Sequence, residues 1–270
     1  MPELPEVETT RRGIAPYLLQ QRWCGAVVRQ PQLRQPVSAT LDQQLRGREI
    51  HAVERRAKYL LIHCDGGYLL LHLGMSGSLR ILPVGTPPGP HDHVDLCFES
   101  YLLRYRDPRR FGLLLWCEQP PQEHPLLRHL GPEPLAPAFS AESLHHQARQ
   151  RKTPVKALIM EQRVVVGVGN IYANEALYLA AIDPRRAARR IALVRYQRLV
   201  VEIRAVLQRA IAMGGTTLRD FQHEDGKPGY FQQTLHVYGR GGAPCHGCGQ
   251  PLRSERIAQR SSFFCPRCQR

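Results

Sequence analysis

The sequence predicts an α+β chain of several domains, on three observations. Short apolar runs separated by turn residues crowd the first half, the apolar spacing becomes helical beyond Ser140, and the C-terminus carries two Cys-x2-Cys pairs. The runs are Trp23–Arg29, Ile50–Arg56, Tyr59–Cys64, Tyr68–Leu73, Ser78–Leu82, His93–Phe98, Tyr101–Tyr105 and Gly112–Trp116. They are rich in β-branched and large apolar residues, and Asp65-Gly66 and Glu99-Ser100 read as hairpin tips. Many short strands at close spacing point to an antiparallel sandwich or flattened barrel rather than a parallel sheet.

Gly131-Pro132-Glu133-Pro134-Leu135-Ala136-Pro137 is a stiff linker and marks a domain boundary. Past it, Ser140 caps a predicted short helix to about Gln150, followed by Pro154–Glu161 and Asn170–Ala181. Tyr196, Leu199, Val200, Ile203, Leu207 and Ile211 stripe a long last helix that Gly214-Gly215 ends.

The chain opens with Pro2-Glu3-Leu4-Pro5-Glu6-Val7-Glu8-Thr9. Pro5 and the acidic residues suit the first turn of a helix, and Val7, Ile14 and Leu18 give it a buried stripe. If Met1 is removed, Pro2 presents a secondary amine at the positive end of that helix, where the protonated form is disfavoured. A neutral amine attacks an aldehyde-level carbon to form a Schiff base, which from proline is necessarily a cationic iminium. Glu3 is the nearest carboxylate able to move the protons. Taken alone, the segment reads as a helix cap.

Composition narrows the partners. The 270 residues include 37 Lys plus Arg against 23 Asp plus Glu, a net charge of +14 that points to a polyanion such as nucleic acid or an anionic membrane surface. Hydrophobic residues at 43% supply real cores, which excludes a disordered tail. The acidic, proline-broken start is no signal peptide, and no apolar run is long enough to span a membrane. Cys24, Cys64, Cys97 and Cys117 lie in strand-like runs and read as small buried hydrophobes, so the expected setting is the reducing cytoplasm.

Val166-Gly167-Val168-Gly169-Asn170 outlines a phosphate cradle, with Asn170 expected to cap the next helix. It is neither a P-loop nor a dinucleotide fingerprint, and taken alone it is a tight turn. Cys245-x2-Cys248, sixteen residues, then Cys265-x2-Cys268 is the spacing of a four-thiolate zinc site on a β-hairpin. Four soft ligands leave no open position, so the one expected Zn2+ is structural. Arg260 falls near the hairpin turn, where it can hold a phosphate. His72-Leu73-Gly74-Met75-Ser76-Gly77 and Asp107-Pro108-Arg109-Arg110-Phe111-Gly112 present apolar and basic side chains from glycine-flexed loops. Such residues can fill the hole left by a base extracted from a duplex. Alone, Met75 and Phe111 read as core packing.

Together, PELPEVET, Arg56-Ala57-Lys58-Tyr59-Leu60, HLGMSG, DPRRFG, VVGVGNIYANE, Asp225-Gly226-Lys227-Pro228-Gly229-Tyr230-Phe231 and the cysteine quartet resemble the formamidopyrimidine-DNA glycosylases, bacterial 8-oxoguanine glycosylase/AP lyases. The match runs in order from Pro2 to Cys268, with no departure at a motif position. The resemblance implies an N-terminal antiparallel β-sandwich, a helix-two-turns-helix domain and a zinc finger, divided as residues 1–131, 132–235 and 236–270.

It also implies roles. Pro2 is the nucleophile and Glu3 the general acid/base. Lys58 and Arg260 join this catalytic set, and with the DNA-binding Asn170 they pin the backbone around the flipped nucleotide, with His72 a further DNA-binding residue of that kind. Met75, Arg109 and Phe111 match the void-filling trio, and Lys156 a lysine associated with lesion recognition. Glu6, Lys227 and Tyr230 match lesion-positioning residues, the last two in a loop, Gln222–Tyr230, that closes over the extruded base. The implied partner is damaged double-stranded DNA, bound by a cytoplasmic, nucleoid-associated monomer with no nucleotide cofactor, redox cofactor or catalytic metal. Pro2 excises an oxidised purine, and β,δ-elimination follows. An endonuclease VIII-like enzyme for oxidised pyrimidines is the nearest rival, and a non-catalytic zinc-finger nucleic-acid-binding protein a second. Leu4 after Glu3, the contexts of Met75 and Phe111, and the Lys227–Tyr230 loop favour the purine enzyme.

Overall fold

A computed structural model of the chain describes residues 2–214 and 235–270. Lys227, Tyr230 and the rest of the Gln222–Tyr230 loop lie outside the described residues. Two compact units emerge, one reaching Arg128 and one formed by His129–Met213 with residues 235–270.

In the first unit, α1 (Leu4–Leu18) starts at Glu3 and carries Pro5 in its first turn. Eight strands follow: β1 (Gly25–Val28), β2 (Ile50–Arg56), β3 (Tyr59–Cys64), β4 (Gly67–His72), β5 (Ser78–Pro83), β6 (Asp92–Cys97), β7 (Tyr101–Arg106) and β8 (Leu113–Cys117). They pair antiparallel in two four-stranded sheets, ordered β2-β3-β4-β8 and β1-β6-β7-β5. One core takes Leu60, Ile62, Leu69 and Leu71 from the first sheet and Leu79, Val94, Leu96 and Leu103 from the second. Two open sheets sharing a core make a sandwich, not a barrel. Val7, Ile14 and Leu18 join that core from α1.

The short helix α2 (Leu41–Leu45) is absent from the sequence reading. Five residues are too few to display a helical period, yet Leu41 and Leu45, one turn apart, are both buried. The scattered cysteines also need correcting: Cys64 and Cys117 are buried, but Cys24 is exposed and Cys97 only half-buried. Cys24 precedes β1, which lies at the edge of its sheet.

The second unit holds α3 (Ala141–Ala148), α4 (Val155–Met160), α5 (Asn170–Leu179), a single 3-10 turn at Ala188–Arg190, and α6 (Leu193–Ala212). Ser140 caps α3, its Oγ accepting from Ser143 N at 3.1 Å. The stripe on α6 is buried at Tyr196, Leu199, Val200, Ile203 and Leu207, and meets α3 and α5. The hairpin β9 (Arg253–Ile257) and β10 (Arg260–Phe264) packs on α5. Among the described residues, no helix is long and apolar enough to cross a membrane.

Candidate active site and nucleic-acid interface

Pro2 is half-buried and leads directly into a first turn closed by two carboxylates. Glu3 and Glu6 are each 1% exposed, and Glu3 N donates to Glu6 Oε2 at 2.8 Å. The Glu3 side chain accepts from the Glu6 backbone in return, which completes a reciprocal capping box. The helix cap and the acid/base candidate are thus one residue.

One turn on, Glu8 ties α1 to the sheet. It accepts from Arg11 Nη2 at 2.9 Å, Arg12 Nε at 2.8 Å and, from β2, Arg55 Nε at 3.2 Å. Burial alone would raise this carboxyl, but the hydrogen bonds from Arg11 and Arg12 and the charges of Arg11 and Arg55 outweigh it and hold the group at about 2, against an ordinary 4.5. A depressed carboxyl stabilises the fold above pH 4.5, and that contribution is lost as pH falls through about 2. Glu8→Gln is therefore expected to cost on the order of 2 kcal/mol at neutral pH, with the gap to the parent closing across that window. Urea unfolding at stepped pH reads it, and a gap that stayed constant down to pH 2 would remove ionisation as the cause.

At the near end of the first sheet, Lys58 sits in the two-residue turn joining β2 and β3. Tyr59 pairs with His72 across β3 and β4, and their rings lie 4.8 Å apart. Gly74 N donates to His72 Nδ1 at 2.9 Å, which leaves Nε2 as the protonated nitrogen. Burial first, then the charges of Lys58 and Arg34, push this imidazole down to about 4. His72 is thus neutral at pH 7, with one N–H donor at Nε2 and no charge. Arg34 is exposed, and its effect on His72 places it in this basic cluster. Sequence reading missed it because Arg34 stands between Leu33 and Gln35 in a stretch with no strand or helix period.

Asp107 organises the two presenting loops. It is fully buried and accepts from Ser76 Oγ at 2.7 Å, Gly112 N at 2.8 Å, Arg109 N at 3.2 Å and Tyr105 OH at 3.2 Å. The Met75 and Arg109–Phe111 loops are bound to the same carboxylate. Gly112 is required there, since a Cβ would lie 1.7 Å from the Tyr105 hydroxyl oxygen. Phe111 is 46% exposed, with the Arg109 guanidinium 4.8 Å above its ring. That exposure rules out core packing for Phe111, and Met75 is half-buried.

In the second unit, Gly169, not Asn170, is the N-cap of α5, and Asn170 is the first helical residue. Its extended backbone lets Gly169 begin the helix, so the Asn170 side chain is not spent on capping. Asn174, one turn on, donates to Asn170 O at 2.6 Å and accepts from Phe263 N at 2.8 Å. Asn170 and the hairpin are therefore joined through one side chain.

Arg260 is exposed at the start of β10. Lys156 lies behind it, 1% exposed, with Nζ donating to Ser261 O at 2.9 Å and Ser262 Oγ at 2.6 Å. Ser262 Oγ in turn donates to Arg260 O at 3.1 Å. The lysine that the resemblance associates with lesion recognition is thus a buried ammonium that holds β10 from behind. Glu175, also missed, accepts from the backbone N–H of His236, Val237 and Tyr238 at 2.8–2.9 Å, fixing the chain that leads to the hairpin.

The Sγ atoms of Cys245, Cys248, Cys265 and Cys268 lie within 4.8 Å of one another. Cys245 and Cys268 are 3.9 Å apart and Cys248 and Cys265 3.5 Å, against the ~3.8 Å edge of a tetrahedron with 2.3 Å zinc–sulfur bonds. Hydrogen bonding with Cys248, then burial, pushes Cys268 up to about 12. A divalent cation is the charge that lets four such thiols ionise together. The donor set fits one structural zinc. Tyr178 adds a hydroxyl 3.3 Å from Cys245 Sγ, a partner outside the ligand shell.

Three family models match in sequence order: the formamidopyrimidine-DNA glycosylase N-terminal domain over residues 1–114, its H2TH domain over 130–222, and a zinc finger found in FPG and IleRS over 242–270. A formamidopyrimidine-DNA glycosylase of Syntrophotalea carbinolica is 59% identical over 271 residues, covering 100% of both chains. The chain belongs to the formamidopyrimidine-DNA glycosylase family. Its fold matches the crystal structure of the MutM (Fpg) protein from Thermus thermophilus, with TM-score 0.88 and 42% identity over 99% of this chain and 98% of that one. A Lactococcus lactis FPG mutant in complex with Fapy-dG-containing DNA matches with TM-score 0.91 and 32% identity, covering 100% of each chain. Membership in this family makes the chain a DNA glycosylase of base excision repair.

Proposed function

We propose that this enzyme removes oxidised purines, 8-oxoguanine and formamidopyrimidines, from duplex DNA and then cleaves the strand at the resulting abasic site. The observation that carries the reading is the closed first turn, where Pro2 adjoins Glu3, and Glu3 and Glu6 are two buried carboxylates that each accept from the other's backbone N–H. With Met1 removed, the Pro2 amine attacks the sugar C1′ while Glu3 supplies the proton needed as the base departs. The cationic iminium then drains electrons from the neighbouring carbon. Loss of a proton there expels the 3′ phosphate, and a second elimination expels the 5′ phosphate. Zinc holds the hairpin's shape and takes no part in bond making. Glu6, Lys227 and Tyr230 position the lesion nucleotide, and the enzyme works as a monomer on nucleoid DNA in the cytoplasm.

The Lactococcus enzyme is seen with a formamidopyrimidine lesion, and this supports the purine reading over oxidised pyrimidines. Cleavage rates on duplexes bearing 8-oxoguanine, thymine glycol or an abasic site test it. Preference for thymine glycol over 8-oxoguanine would overturn it.

Lys58, His72, Asn170 and Arg260 grip phosphates in this reading, and Met75, Arg109 and Phe111 fill the vacated space in the duplex. Lys58→Ala and Arg260→Ala should each weaken binding to damaged duplex and reduce the logarithmic salt slope by about one. Unchanged slopes in both would place them outside the interface. Lys156 acts through Arg260. Lys156→Met is expected to weaken binding about tenfold in the parent and to add little in an Arg260→Ala background. Full additivity in that double-mutant cycle would show an independent role.

A further inference from the structure

Away from the residues assigned above, positive charge concentrates on two short segments of the second unit. Residues 149–152 read Arg-Gln-Arg-Lys and residues 185–190 read Arg-Arg-Ala-Ala-Arg-Arg, with no acid in either. Backbone bonds lay them side by side. Val155 N donates to Arg186 O at 2.8 Å, Ala188 N to Thr153 O at 2.9 Å and Arg189 N to Arg151 O at 3.1 Å.

Not every cation there is available. Arg151 pairs with Glu161, and Arg185 with Asp183 and Glu255. Lys152, Arg186, Arg189 and Arg190 are exposed. None of these four has a carboxylate oxygen within 4.0 Å among the described residues. Crowding is felt nearby: burial first, then the charges of Arg186 and Arg198, lower the Arg195 guanidinium.

Exposed like charges repel weakly, so repulsion alone demands no partner. Sign, density and position together point to one. The patch begins where the hairpin ends. Arg185 reaches Glu255 on β9, and Lys156 N donates to Pro184 O while its Nζ holds β10 beside Arg260. From that junction the unpaired cations continue the basic surface along the 185–190 segment.

We propose that Lys152, Arg186, Arg189 and Arg190 form a second phosphate-binding surface, which grips the duplex backbone outside the nucleotides around the lesion. The proposal rests on the DNA-repair reading above and extends its footprint. Contacts to phosphates carry no sequence information, so the patch's contribution is sequence-independent and salt-dependent. Its role is to lengthen contact with undamaged DNA during search and to hold the product after cleavage.

The test uses the full-length, zinc-loaded enzyme and duplexes of about 13 and 30 base pairs with a central uncleavable abasic analogue. Arg186→Gln/Arg189→Gln/Arg190→Gln is compared with the parent and with Arg260→Ala by anisotropy titration over a range of KCl. On the long duplex the triple variant should bind at least tenfold more weakly near 0.1 M salt, with a slope shallower by two to three, roughly 0.9 per lost contact. On the short duplex it should stay within twofold of the parent. Arg260→Ala should weaken both lengths alike; if it weakens neither, the underlying DNA reading fails, whatever the triple variant does. A long-duplex slope unchanged in the triple variant would show a solvated face and overturn the proposal, as would equal loss on both lengths. Arg189→Glu/Arg190→Glu provides a stronger second variant and should exceed the triple variant's loss on the long duplex.

Discussion

Sodium borohydride is expected to trap this enzyme covalently on duplex DNA containing 8-oxoguanine or an abasic site, with the bond at Pro2. The iminium is the only intermediate in the proposed sequence that hydride can reduce to a stable amine. An α-amino group titrates near pH ~8 against ~10.4 for lysine, which leaves far more of it unprotonated at neutrality. The start of α1 adds to this, because the positive end of the helix disfavours a second positive charge. Two side-chain amines compete on paper. Lys156 is buried with Nζ donating to Ser261 O and Ser262 Oγ, so it is poorly placed to attack. Lys58 stands on the β2–β3 turn, and its charge already acts on His72.

Leaving Met1 attached converts the amine to an amide and should abolish both activities, a loss of at least a thousandfold. Pro2→Gly keeps a primary amine and should retain weak strand cleavage. Glu3→Gln should lose excision of the damaged base far more than cleavage at a preformed abasic site, where no base has to leave. Peptide mapping of the trapped complex decides the matter. A crosslink at Lys58 would sink the mechanism even with the glycosylase activity intact.

What is legible in the sequence follows from local chemistry. Tyr59–Cys64 and Ile50–Arg56 are strands at the expected bounds because apolar spacing and turn residues specify them within a few positions. Ser140 declares itself as a cap three residues before Ser143 N. The Pro2-Glu3 pairing is visible, but the closure of Glu3 onto Glu6 at 1% exposure is not, since it needs the helix and the packing on α1 together.

Long-range partners account for most of the rest. Lys156 bonds to a serine 106 positions away, and Glu175 to backbone 62 positions away. No local pattern distinguishes such a lysine from one facing a ligand. Asp107 is visible as part of a motif, but three of its four donors come from two loops that meet only in the sandwich, and the fourth, Tyr105, from β7. The cap of α5 lies one position before Asn170 because a glycine can begin a helix nearly as well as an asparagine can.

Removing zinc is expected to abolish binding to damaged duplex while leaving the first unit folded. Among the described residues, the β9–β10 module has a small core of Val237, Cys245, Leu252 and Cys265, with partly buried residues such as Tyr178 and Phe263 against it, and adds the buried Ile257 and Phe264. So small a cluster buries too little apolar surface to offset the chain entropy of the hairpin. Metal binding supplies the missing stability, of order 10 kcal/mol or more for structural zinc. By contrast, the sandwich of the first unit has a core drawn from two four-stranded sheets and α1, and no zinc ligand. Arg260 therefore should lose its support on chelation while Lys58 and His72 keep theirs. Cys248→Ser removes one ligand and should behave like partial chelation, with binding weaker by at least a hundredfold. Tyr178→Phe deletes the hydroxyl beside Cys245 Sγ and should speed zinc release to a chelator about tenfold without changing the stoichiometry of one. Metal content, a colorimetric chelator assay and DNA titration on the same preparations read all three. Full DNA affinity in a protein shown to carry no zinc would separate the hairpin from the interface and leave Arg260 without its proposed role.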